Sequence, residues 1–270
     1  MTNAILSFHQ GWTDIVNQIS LINFYYPKYN LLELYIKKSS KYFIDFYCKN
    51  LENVKIVYTD VHSVDFCNIK KNDEFKNYDI LLHGFLDNCR VDKYKNSFIK
   101  NKNIEYIRSF YLSYNIPLEV KIDFFNFERD FEGEEYEYQN FIKNYGDNYI
   151  LYHSDQSSPR GDTGIDVYSV LQEKKIKLVD LNGLFENPFV SIKILQNAKE
   201  LHLSDSMWGS LCYLMDCKYN LFKESKIFFY PFKTRCGGQF CDDKSRKFYN
   251  QPPQDKFLLM NPKNWSVVKL

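Results

Sequence analysis

Three consecutive polar residues, Ser204, Asp205 and Ser206, separate an apolar run ending at Leu203 from a second one through Leu211, Leu214 and Met215. The first run reads as a strand and the second has helical spacing. All three polar residues are good helix N-caps. A helix that starts here turns unpaired backbone N–H groups, and the positive end of its dipole, toward the loop. Such a terminus binds anions, phosphate and diphosphate above all. An ordinary capped helix has the same sequence, so the rest of the chain must decide between the two.

A second stretch with chemical capacity follows the apolar run at residues 4–8: His9, Gln10, Gly11, Trp12, Thr13 and Asp14. Gly11 can take conformations that other residues resist. Asp14 opens a helical pattern, as a base or as a helix cap. His9 competes as the base, because imidazole titrates near neutral pH. His83 and His153 sit at the ends of other strand-like runs and can bind hydroxyls or phosphate, or pack as core residues. Arg160 and Arg235 fall in polar loops, where a guanidinium can grip phosphate in two places or simply be solvated.

The elements that position these groups alternate. Strand patterns cover residues 4–8, 31–36, 54–58, 79–85, 149–153, 176–179, 201–203 and 226–230. Helical patterns cover 15–24, stopped by Pro27, then 42–48, 104–114, 166–172, a stretch opened by Asn187 and Pro188, and the stretch after Ser206. Residues 124–145 are charged and aromatic and read as a solvated helix face. The tail from Asn264 to Leu270 reads as a short helix or an extended arm. Alternation of this kind gives α/β architecture with parallel sheets. It starts afresh at Tyr149. We therefore expect two Rossmann-like halves, residues 1–146 and 147–270, facing across a cleft. Ligands of open α/β sheets lie beyond the carboxyl ends of the strands. That selects the loops 9–14, 83–84, 153–161, 204–206 and 233–237.

Composition narrows the function. The chain has 270 residues and a formal net charge of +1, which argues against a dominant nucleic-acid face. No apolar run is long enough to span a membrane, and residues 1–8 lack the basic start of a secretory signal. Seven scattered cysteines fit free thiols in a reducing cytoplasm. Cys236 and Cys241 lack two further ligands at zinc spacing, and no Asp-x-Asp pair stands out, so no metal is expected. The dinucleotide glycine fingerprint and the P-loop are both absent.

The passage from Ile194 through Gln196, Asn197, Ala198, Lys199, Glu200 and Leu201 to Ser204, Asp205 and Ser206 resembles the nucleotide-sugar-binding segment of GT-B glycosyltransferases, most closely the heptosyltransferase-like branch. The opening Gly11-Trp12-Thr13-Asp14 resembles that branch's N-terminal glycine–aspartate loop, with two residues inserted between the pair. The resemblance implies transfer of a hexosyl or related sugar from a nucleotide diphosphate sugar, as co-substrate, to the hydroxyl of a glycan or other acceptor, inverting and metal-independent, with no further cofactor. It implies an acceptor-side first half carrying Asp14. It also implies a donor-side second half in which Ser204, Asp205, Ser206, Arg160 and Arg235 hold the diphosphate. A nucleotide-sugar epimerase or hydrolase, and a non-catalytic nucleotide or sugar binder, share the same architecture.

Overall fold

The computed structural model describes residues 2–8, 11–60, 73–83, 110–111, 114–153, 166–204, 206–230 and 265–268. The chain divides into two compact units, Met1–Glu128 and Arg129–Leu270.

The first unit holds a four-stranded parallel sheet: β1 (Asn3–Phe8), β2 (Leu31–Lys37), β3 (Val54–Thr59) and β4 (Tyr78–His83), in the order β3-β2-β1-β4. Ala4, Ile5, Leu6, Ser7 and Phe8 are all buried. This is what a central parallel strand, covered on both faces, requires. Helices α1 (Trp12–Gln18) and α2 (Ser20–Tyr25) follow β1, broken at Ile19 where the sequence suggests one continuous helix. Helix α3 (Lys41–Cys48) follows β2, and the short α4 (Val120–Asp123) packs on α2. Most of the helix expected at residues 104–114 lies outside the described residues.

The second unit holds a five-stranded parallel sheet in the order β6-β5-β7-β8-β9. Its strands are β5 (Tyr149–Tyr152), β6 (Lys177–Asp180), β7 (Glu200–Ser204), β8 (Lys226–Tyr230) and β9 (Trp265–Val267). Residues 265–268 of the tail thus run as an extended arm at the edge of the sheet. Its anchor is Asp216, a buried acid that accepts from the Trp265 indole N–H at 2.8 Å and from the Phe222 amide at 3.0 Å. Among the described residues, the helices are α5 (Phe131–Tyr145), α6 (Val167–Leu171), α7 (Ile192–Asn197) and α8 (Met207–Tyr219). Asn187 and Pro188 open a 3₁₀ turn that leads into α7 rather than the helix itself.

The two sheets are separate, as the restarted alternation predicts. The division falls after Glu128, before α5, whereas the sequence pattern places it after that helix. The reason is packing. Phe141 of α5 meets Tyr149 edge-on at 4.7 Å, and Glu135 pairs with Lys193 of α7. Most of α5's acids are solvated, but Glu134 is buried and takes a two-point grip from Arg129. No helix among the described residues is long and apolar enough to cross a membrane.

Asp216 generates a prediction. Asp216→Ala leaves two buried N–H donors without an acceptor, at about 1–3 kcal/mol each. The midpoint of urea unfolding should fall accordingly. Asp216→Asn keeps an acceptor and should lose less.

Candidate functional site

In the second unit β6 lies on one side of β5 and β7 on the other. The chain reverses its direction of winding there, and the crevice beyond the carboxyl ends of β5 and β7 is the place where such sheets hold ligands. His153 follows β5, and its amide N–H donates to the His202 carbonyl at 2.9 Å. Ser204 ends β7. The His153 Nδ1 and Ser204 Oγ atoms are 3.0 Å apart and buried.

The polar triplet resolves into distinct roles. Ser206 is the N-cap of α8: its backbone is extended, and its Oγ accepts from the Gly209 amide at 3.5 Å. Its own amide donates to the Ser204 carbonyl at 2.8 Å. Gly209 has no room for a side chain, because a Cβ there would run into the Ser204 carbonyl oxygen. The start of α8 is therefore pressed against the end of β7, with its first-turn N–H groups at the carboxyl edge of the sheet. Asp205, Arg160 and Arg235 lie outside the described residues.

The structure adds two residues that the sequence reading did not single out. Asp180 ends β6, and its carboxylate accepts from the Asn182 amide N–H at 3.0 Å. Asn182 is also hydrogen-bonded to His153. Burial pushes the His153 pKa below its ordinary value, against the opposing pull of Asp180 and Asn182. The imidazole is thus neutral at physiological pH. The signal was present in the Asp-x-Asn turn directly after a strand, a usual way for Asx side chains to fold back on the backbone.

His202 forms a second polar chain two residues before Ser204. Its Nε2 donates to Glu200 at 2.9 Å, its Nδ1 accepts from the Tyr230 hydroxyl at 2.8 Å, and its ring stacks on Phe228. Lys174 pairs with the same Glu200 carboxylate. Burial lowers the His202 pKa, with Glu200 opposing, and burial followed by Glu200 pushes Tyr230 up to about 12. The phenol therefore stays a donor.

In the first unit the winding reverses between β1 and β4. His9 lies outside the described residues. Gly11 is the N-cap of α1, with an ordinary extended backbone at φ −71°. What calls for glycine there is space and not conformation: a Cβ would stand 2.6 Å from Asp14 Oδ2. Asp14 is the third residue of α1, not its cap, and its carboxylate folds back over Gly11. Trp12 packs on Phe43 at 5.4 Å.

His83, expected in an open loop, belongs to the core of this unit. Its Nδ1 donates to the Phe110 carbonyl at 2.5 Å, so its Nε2 accepts from the Tyr25 hydroxyl at 3.1 Å. Tyr114 stacks on the ring at 4.3 Å. Both nitrogens are committed to internal partners, and burial raises the Tyr25 pKa and keeps that phenol a donor. Among the described residues no group of three or more His, Cys, Asp or Glu side chains could hold a metal ion.

No protein-family model matches the chain, and no curated protein matches it. Its fold is similar to the crystal structure of a glycosyl transferase family 9 protein from Veillonella parvula DSM 2008, with a TM-score of 0.49 and 9% sequence identity over 99% of this chain and 86% of that one.

The site's electrostatics predict the pH dependence of stability. His153 and His202 both have lowered pKa values in the folded chain. As pH falls through the unfolded value of about 6.5, the unfolded chain takes up protons that the native chain refuses. Stability is thus full above that pH and lost progressively below it. Urea midpoints should drop on acidification, and His202→Gln should flatten the slope.

Proposed function

We propose that the chain is a GT-B-type glycosyltransferase that moves a sugar from a nucleoside diphosphate sugar to an acceptor hydroxyl by one inverting displacement, without a metal ion. The observation that carries this reading is the start of α8. It stands at the reversal point of a parallel sheet, pressed against β7 by Gly209 and flanked by Ser204, Ser206 and His153. Charge gathers on the leaving diphosphate in such a transfer. Fixed N–H groups and hydroxyls stabilise that charge without reorganising. Arg160 and Arg235 would add cationic contacts, and Asp205 would complete the loop.

The acceptor hydroxyl must lose a proton as it attacks. We assign that role to Asp14, held at the head of α1 by Gly11, with His9 as the competing base. The nucleoside diphosphate and the glycosylated acceptor are the products. Cys48, Cys212 and Cys217 are free thiols, in keeping with a reducing, cytoplasmic setting.

The test is nucleotide release from a pool of donor sugars, with and without acceptors. Release that requires acceptor supports transfer. Release without it indicates a hydrolase, and binding without release indicates a non-catalytic protein. Asp14→Asn should keep donor binding and lose about a hundredfold to ten-thousandfold in rate. Gly11→Ala should fold normally yet slow transfer, because its methyl group displaces the Asp14 carboxylate. Ser206→Leu should weaken nucleotide binding. An Asp14→Asn enzyme at the parent rate would make Asp14 a structural residue and turn attention to His9.

A further inference from the structure

We propose that anion binding at the start of α8 is coupled to uptake of one proton by His153, through the relay Asp180–Asn182–His153–Ser204. The inference rests on the donor-site reading above and adds a positioning role for Asn182 and Asp180.

The directions of the hydrogen bonds fix the relay. The Asn182 main-chain N–H donates to Asp180 Oδ1 at 3.0 Å, and its side-chain N–H donates to Oδ2 at 3.4 Å. The amide N–H side is thereby turned to Asp180, and the amide carbonyl is left for His153, to which the side chain is also bonded. A ring nitrogen has one in-plane hydrogen-bonding direction. With Nδ1 on Ser204 at 3.0 Å, the relay assigns Nε2 to Asn182, whose carbonyl takes its hydrogen. The neutral ring therefore carries its proton on Nε2, and the Ser204 hydroxyl donates into Nδ1.

In that state the Ser204 hydrogen points inward, and an anion at the sheet edge meets oxygen lone pairs. A proton delivered to Nδ1 reverses the bond. Nδ1–H now donates to Ser204 Oγ, and the serine hydrogen is released to turn toward the anion. One proton enters from solvent, none leaves, and no covalent bond between heavy atoms changes.

Among the described residues, the groups that face the ring are Ser204 from β7, and Asp180 and Asn182 from the end of β6 and the turn after it. Asp180 and Asn182 favour the imidazolium and burial opposes it. A diphosphate beside the ring adds negative charge and tips that balance.

Calorimetry with ADP, UDP, GDP and inorganic pyrophosphate tests this, in buffers of different ionisation enthalpy near pH 8, where a terminal phosphate with a pKa of about 6 is already ionised. The parent should take up close to one proton on binding, and affinity should weaken toward about tenfold per pH unit as pH rises. His153→Gln should bind without that extra uptake. Asn182→Asp places a carboxylate on Nε2, pre-charges the ring and should reduce uptake while keeping affinity. Equal uptake in the parent and His153→Gln overturns the inference and leaves the donor site standing. No binding of any probe by the folded parent overturns the donor-site reading and the inference with it.

Discussion

The close approach of Gly209 to the Ser204 carbonyl is the contact on which the second unit's candidate site depends. A parallel strand that ends in a helix must turn sharply, and here the helix comes so close that a Cβ at Gly209 would run into the Ser204 carbonyl oxygen. Because the helix sits so near, the Ser206 amide reaches the Ser204 carbonyl and the Ser206 hydroxyl caps the first turn. Ser204 faces His153 across the reversal point because β5 and β7 are hydrogen-bonded neighbours. Every residue from Trp208 to Asp216 is buried, so the helix is clamped by its core side as well as by its start.

Topology supplies the second constraint. Each unit has a parallel sheet that reverses its winding once, between β1 and β4 and between β5 and β7. A histidine lies at the carboxyl end of a strand flanking each reversal: His83 in the first unit, His153 in the second. Their fates differ because of their neighbours. His83 is enclosed by Tyr25, Phe110 and Tyr114, which satisfy both nitrogens and cover the ring. His153 meets a hydroxyl and an amide that are themselves part of a polar edge. Position in the fold makes a residue a candidate, and the polarity of what surrounds it separates a site from a core.

That distinction explains what the sequence reveals and what it withholds. Strand positions were legible from runs such as Ala4–Phe8 and Lys226–Tyr230, because parallel strands covered on both faces are almost continuously apolar. The helix start at Ser206 was legible from its cap chemistry. The role of Gly11 was misjudged, because its backbone is ordinary and the demand comes from a carboxylate three residues on in the chain. The unit boundary was displaced for a similar reason. Helix α5 looks solvated from its acids, and Phe141 alone does not announce that it docks against Tyr149. Asp180 and Asn182 escaped notice because their partner is brought to them by strand order, which sequence spacing does not encode.

The second unit keeps two polar chains close together, and they do different work. Glu200, His202 and Tyr230 run along the sheet face and close on themselves, with Lys174 completing the charge at one end. Each ring nitrogen has a partner and the phenol has one acceptor, so the chain satisfies a buried histidine and asks nothing of a ligand. Saturated networks of this kind fix strand register and hold β7 against β8. The chain from Asp180 to Ser204 instead ends at the carboxyl edge of the sheet, two residues before the N-cap of α8, a helix start whose donors are intrinsically incomplete. In the proposed relay, a ligand at that helix end would supply the missing partner and redirect the last hydrogen bond.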